Sequence, residues 1–228
     1  MSAAGELEKV VNPRGGGMYH TGFEQLVQRI IQSVNKERLA ELRRDFHTRL
    51  RITLSQPDNT ELAEDLWDFF YDWCVFERQI PESLDSLTSE EKWVWQRAKA
   101  HNQRGLYIVQ KATDTFLKLK DLYHSKQFMV PKAQRNEFFG IAKGDIIEGR
   151  LVGEGEADPP KQFSFVRRPA YQPSEVHGYI KAKVRQFRRA QDLVTYQSWL
   201  WLLVGMYLKH RIYQHMPIEK IYDDNSRI

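Results

Sequence analysis

An α+β fold is predicted: an N-terminal helical bundle, a small antiparallel β-barrel of five or six strands, and a long C-terminal helix. Three observations predict it. Apolar residues recur at spacings of three and four through the first hundred positions. Between Gly105 and Val166, short β-branched and aromatic runs return at roughly ten-residue intervals with turn residues between them. After Pro169 and Pro173 the spacing becomes helical again, from Ser174 to about His215, and Pro217 ends it. A chain of 228 residues with 41% hydrophobic and 28% charged residues can bury one or two modest cores, which excludes wholesale disorder and fibrous classes.

Residues 1–20 are polar and contain Pro13 and the run Gly15, Gly16, Gly17, so they read as a flexible arm. The helical region is expected over 21–102, the barrel over 103–170, and the C-terminal helix with its tail over 171–228. In the helical region Phe23, Val27, Ile30, Ile31 and Val34 form one stripe, and Leu39, Leu42, Phe46 and Leu50 resume on a shifted face. The phase changes near Asn35 and Lys36, which implies two helices or a bend. A third helix follows Pro57, with Asn59 or Thr60 as its cap and Pro81 as its stop. Its apolar side carries Leu62, Leu66, Phe69, Phe70, Trp73 and Phe76, and Glu61, Asp65, Asp68 and Asp72 line the other. Thr88 and Glu91 have the spacing of a capping box for a fourth helix bearing Trp93 and Trp95.

Six runs read as strands: Leu106–Val109, Thr115–Leu119, Gln127–Val130, Phe138–Ile141, Asp145–Val152 and Gln162–Val166. Closing them into a barrel would remove exposed edges. From Leu193 to Leu208 almost every residue is apolar, which suits a buried central helix; Trp199 and Trp201 are the candidates if this helix instead meets a partner or a second copy. Membrane insertion is not expected, because this run spans only about 24 Å of a hydrocarbon core about 30 Å thick.

Charge is segregated along the chain. Asp58 to Glu91 holds eleven carboxylates against Arg78, and Lys161 to Arg189 holds eight basic residues against Glu175. The stripe Glu61, Asp65, Asp68, Asp72 is expected to be a solvated acidic face or a docking face for something basic. A metal is not expected there, since no Glu-x-x-His pair accompanies it. Lys181, Arg185 and Arg188 form a basic stripe, with Arg167, Arg168, Lys183 and Arg189 nearby, that can bind a partner, phosphates or the acidic stripe itself. The barrel adds Tyr107, Phe116, Tyr123, Phe138, Phe139, Phe163 and Phe165, and rings interleaved with cations are what single-strand binders use. Core packing is the competing explanation for those rings.

The segment from Phe70 to Leu84, with its Tyr71, Asp72, Trp73 helix end, and the strand-rich Gly105 to Val152 with Gly144, Asp145 and Arg150, resemble a set of poorly characterised bacterial proteins. These combine helices with a small β-barrel, and some carry a SEC-C zinc-binding tail. The similarity covers residues 62–152 and implies architecture. Cys74 is the single cysteine, so the zinc and the export association of that tail do not carry over.

No catalytic motif is present. The seven histidines form no His-x-x-x-His pair, there is no nucleophile elbow or phosphate-cradling glycine loop, and Cys74 beside Trp73 is expected to be an inert thiol. With one cysteine and no apolar signal core at its start, the chain is expected in the cytoplasm. The expectation is a non-catalytic adaptor that works without cofactor or metal through protein contacts or self-association; the alternative is RNA or single-stranded DNA binding through the basic stripe and barrel aromatics.

Overall fold

Asn35 separates the first two helices: its side chain accepts the Arg38 N–H at 2.8 Å, so α1 (Thr21–Gln32) ends and α2 (Lys36–Leu50) begins where the apolar phase shifts. The computed structural model describes residues 21–52, 60–78, 80, 87–132, 138–155 and 157–225. The expected arm over 1–20, the cap at Asn59 and the stop at Pro81 lie outside them. α3 is Thr60–Phe76 and α4 is Ser89–Ala100. The capping box forms in both directions, Glu91 N–H to Thr88 Oγ1 at 3.2 Å and Thr88 N–H to Glu91 Oε2 at 2.8 Å.

The strands are β1 (Asn102–Ala112), β2 (Phe116–Asp121), β3 (Gln127–Pro131), β4 (Ile146–Gly153), β5 (Phe163–Phe165) and β6 (Ala170–Gln172). All pair antiparallel in the order β3-β2-β1-β4-β5, and the free edge of β4 is shared, Leu151–Gly153 with β5 and Ile146–Glu148 with β6. The sheet curls into a nearly closed barrel. At the seam β3 and β5 lie side by side, and Phe128 meets Phe163 edge to face at 4.9 Å. Tyr107, Val109, Leu117, Leu119, Val130, Ile147, Leu151 and Phe165 fill the interior.

Two strand expectations are corrected. Phe138–Ile141 is a turn, because Phe138 sits at φ 60° and its ring plugs the barrel 5.7 Å from Phe165. The sixth strand is Ala170–Gln172, whose flanking Pro169 and Pro173 hid it; prolines at the ends of a short edge strand cost no ladder bond.

The C-terminal helical stretch also divides. A 3₁₀ turn (Ser174–Val176) leads into α5 (His177–Ala190), and α6 (Leu193–Ile212) starts afresh after Gln191 turns left-handed at φ 53°. Asp192 is the reason, since its carboxylate accepts the Thr195 N–H at 2.9 Å and caps the new helix. A short α7 (Ile218–Ile221) follows Pro217.

From Trp199 to Leu208 α6 is apolar all round because there it is covered on every side. Trp201, Val204 and Leu208 complete the core of α1 to α4, while Tyr196, Trp199, Leu200, Leu203 and Met206 pack against α5 and the outward Leu106 and Ile146 of the barrel. The possible interface at Trp199 and Trp201 is therefore corrected: both are buried within the chain. Among the described residues, no helix is long and apolar enough to cross a membrane.

Candidate functional site

Strand alternation sets charges against the helical layer. In β4, Ile147 and Leu151 point into the barrel, so Glu148 and Arg150 point outward, and Arg104 of β1 stands directly across from Arg150. Two like charges face to face would repel. Glu77, just past α3, answers this: its Oε1 accepts from Arg104 Nη1 at 3.3 Å and from Arg150 Nη2 at 3.1 Å.

The remaining contacts close a ring. Arg150 Nε donates to Asp72 Oδ1 at 2.5 Å, Arg167 Nε to Asp72 Oδ2 at 2.9 Å, Arg167 Nη2 to Glu148 Oε2 at 2.6 Å, and Arg104 Nε to Glu148 Oε1 at 2.8 Å. Three guanidinium groups and three carboxylates thus alternate, with no net charge. Their flat faces stack on rings from the helical layer, Arg104 over Trp201 at 3.3 Å, Arg167 over Phe69 at 4.0 Å and Arg150 over Phe76 at 4.6 Å. Trp201 Nε1 also donates to Glu77 Oε2 at 2.8 Å.

Burial alone would raise the Asp72 pKa, but Arg150, Arg167 and Arg104 outweigh it and hold the carboxyl below its ordinary range. Burial would lower the Arg167 pKa, and Glu148 and Asp72 reverse that. All six carboxylate oxygens of the ring already accept a hydrogen bond, so none is placed to act as a general base. Cys74 is buried and its thiol is pushed up to about 12, out of the nucleophilic range. Among the described residues, no His, Cys, Asp and Glu group could hold a metal ion.

Placement of the predicted contact residues follows. Asp72 and Arg167 are corrected from surface contacts to interior ring members, because each is clamped on two sides and nearly sealed from solvent. Asp65 pairs with Arg211 of α6, Asp68 is half-buried, and the Glu61 side chain lies outside the described residues. Arg168 is exposed. Lys181, Arg185, Arg188 and Arg189 stand exposed on α5, and among the described residues none of them pairs with a carboxylate. Among the described residues the acidic and basic blocks meet at Asp72 and Arg167, and Lys181, Arg185, Arg188 and Arg189 of α5 are exposed. Of the barrel rings, Tyr107, Phe138 and Phe165 are interior, Phe116, Tyr123 and Phe163 half-buried, and Phe139 exposed.

The ring was missed in the sequence, although β4 carries its signal. Glu148 and Arg150 share a strand face with Ile146 and Val152, and charges flanked by apolar residues on one face mark a face that is covered.

A second polar cluster ties down the C-terminal segment. Asp224 Oδ1 accepts from Tyr179 Oη at 2.6 Å and Trp199 Nε1 at 3.1 Å, Oδ2 pairs with Lys183, and the Asp224 carbonyl accepts from Arg51 at 2.7 Å. Burial raises the Asp224 pKa, but its donors outweigh this and set it below the ordinary value. A depressed carboxyl stabilises the fold above its unfolded pKa of about 4 and loses that contribution as pH falls through the folded value. Asp224→Ala is expected to cost about 1–2 kcal/mol at pH 7, after solvent screening, and much less at pH 3. Urea midpoints of both proteins at the two pH values measure it; an equal gap at both would disprove the linkage.

No family model, curated protein or solved structure matches this chain.

Proposed function

We propose that the protein is a non-catalytic binding protein whose partner is a phosphate-bearing single strand of nucleic acid, held first by the basic face of α5. The observation that carries this is the row of cations left exposed on α5. Arg167 and Lys183 of the basic block are taken up by carboxylates, as Asp72 and Asp65 of the acidic block are by arginines, but Lys181, Arg185, Arg188 and Arg189 remain exposed without carboxylate partners among the described residues. Exposed cations without internal partners are the footprint of an anionic ligand. Arg188 also reaches the Leu122 carbonyl at 3.4 Å, which places this face next to the end of β2.

Adaptor function through protein contacts loses its aromatic anchors, since Trp199 and Trp201 are interior. One observation keeps it as a second reading: Leu193 and Val194 stand exposed at the start of α6, beside Arg188 and Arg189.

Fluorescence anisotropy with a labelled oligothymidine over a salt series tests the first reading. Four phosphate contacts predict a log–log slope of about −3, from about −0.7 per contact on single strands. The double variant Lys181→Glu, Arg185→Glu is expected to bind at least about tenfold more weakly, with a slope shallower by about 1.4. Salt-independent binding, or unchanged binding by the variant, would overturn it. A mass above one chain at every salt, lost in Val194→Asp, would favour the second reading.

A further inference from the structure

Phe139 is 90% exposed, more than any other large apolar side chain among the described residues. A single exposed ring is common on protein surfaces. This one is set on a backbone fixed from several sides. Phe138 beside it is buried in the barrel, and the turn is closed by Ile141 N–H to the Phe138 carbonyl at 3.2 Å and Ala142 N–H to Asp145 Oδ2 at 2.7 Å. Gly140 and Gly144 take the left-handed φ of 81° and 101° that the path requires. The turn is then bonded to β1, Gly144 N–H to the Val109 carbonyl and Val109 N–H to the Asp145 carbonyl, both at 2.9 Å. An aromatic ring carried on a fixed turn has little backbone entropy still to lose on contact, which is what a docking platform needs.

Cations lead from α5 to this turn. In β2, Leu117 and Leu119 fill the barrel, so Lys118 and Lys120 lie on its outer face, Lys120 across from Ile108 and Lys118 across from Met129. Arg188 touches Leu122 at one end of this strand; toward the other, Lys111 of β1 is exposed opposite Lys118, and across β1, on its β4 side, Lys143 is exposed within the turn itself. Among the described residues, two carboxylates lie there. Asp145 caps Ala142, and Asp114 on the β1–β2 turn is engaged in an interaction of its own. β2 is about 20 Å long at about 3.4 Å per residue, so the cations along it suit a short extended strand rather than a single anion.

We propose that a nucleic acid strand bound at α5 continues along the outer face of β2 and over β1 to Phe139, where a base stacks on the ring. This rests on the α5 reading above. Phosphates would follow the cations, and the ring would contribute through the base, so the two contributions can be separated by a ligand that has phosphates and no bases.

The test compares oligothymidine with an abasic strand of equal length, about twelve nucleotides, on the whole protein at one salt concentration. Phe139→Ala is expected to weaken oligothymidine binding at least about fivefold and leave the abasic strand unchanged, while Phe139→Trp retains binding. Lys118→Gln with Lys120→Gln is expected to weaken both strands. An unchanged affinity of Phe139→Ala for oligothymidine, or an equal loss on both strands, overturns the proposal. If the α5 variant loses binding and Phe139→Ala does not, only this inference fails; if neither strand binds the wild-type protein, the α5 reading fails with it.

Discussion

Asp72→Ala is expected to cost about 3–5 kcal/mol, because it strands Arg150 and Arg167 in the interior with a carboxylate removed from between them. Against a total stability of about 5–15 kcal/mol for a domain, that loss takes a large share of the margin. The cost is mainly that of the uncompensated guanidinium groups, so a second substitution should return part of it. Asp72→Ala combined with Arg167→Met is expected to be destabilised by less than the sum of the two single variants, since each removes what the other leaves unpaired. Urea denaturation of the wild-type protein and the three variants decides this; strict additivity would mean that the ring members do not interact. The pH dependence has a defined sign. A depressed Asp72 carboxyl contributes its stability above an unfolded pKa of about 4 and loses it as pH falls toward the folded value, so the wild-type protein should weaken steeply in acid and the Asp72→Asn protein much less steeply.

Gly205→Ala is expected to destabilise by about 2–3 kcal/mol, although alanine is the better helix former by about 1 kcal/mol. α6 crosses α2 at Gly205, and a methyl group there would be driven into the Leu50 carbonyl oxygen. The obstacle is backbone at the end of α2 rather than a flexible side chain, so α2 and α6 would have to separate and open the core around Phe46 and Trp201, whose rings meet edge to face at 5.5 Å. A thermal or urea midpoint at or above that of the wild-type protein would show that the crossing has slack, and propensity alone would then govern the site.

Local chemistry was legible in the sequence, whereas long-range pairing was not. The Asn35 break, the Thr88 and Glu91 box and the apolar face of α3 each depend on residues within one or two turns, and period and capping reveal them. Asp72 shows where this stops. Its spacing from Asp65 and Asp68 places it correctly on one stripe of α3, but its environment is decided by Arg150 and Arg167, 78 and 95 positions away, which a helical period cannot report. Phe138 looked like strand because aromatics favour pleated surfaces, and its use as a barrel plug at positive φ has no periodic signature. Asp192 was a readable cap inside the C-terminal stretch, yet the unbroken apolar run after it masked the new start. At the candidate site, the cations of α5 could be found from their spacing, while their lack of carboxylate partners among the described residues emerged only from the fold.

The position of α6 in both cores bears on how the chain is made. Trp201, Val204 and Leu208 belong to the core of α1 to α4, yet they are translated about 100 residues after α4 ends at Ala100. At roughly 5–20 residues per second, the apolar faces of the first four helices would wait several seconds on the ribosome for the segment that covers them. Nascent chains stopped before Leu193 would then expose sticky surface, so a chaperone has its longest opportunity to act on this protein during that interval, before α6 closes it.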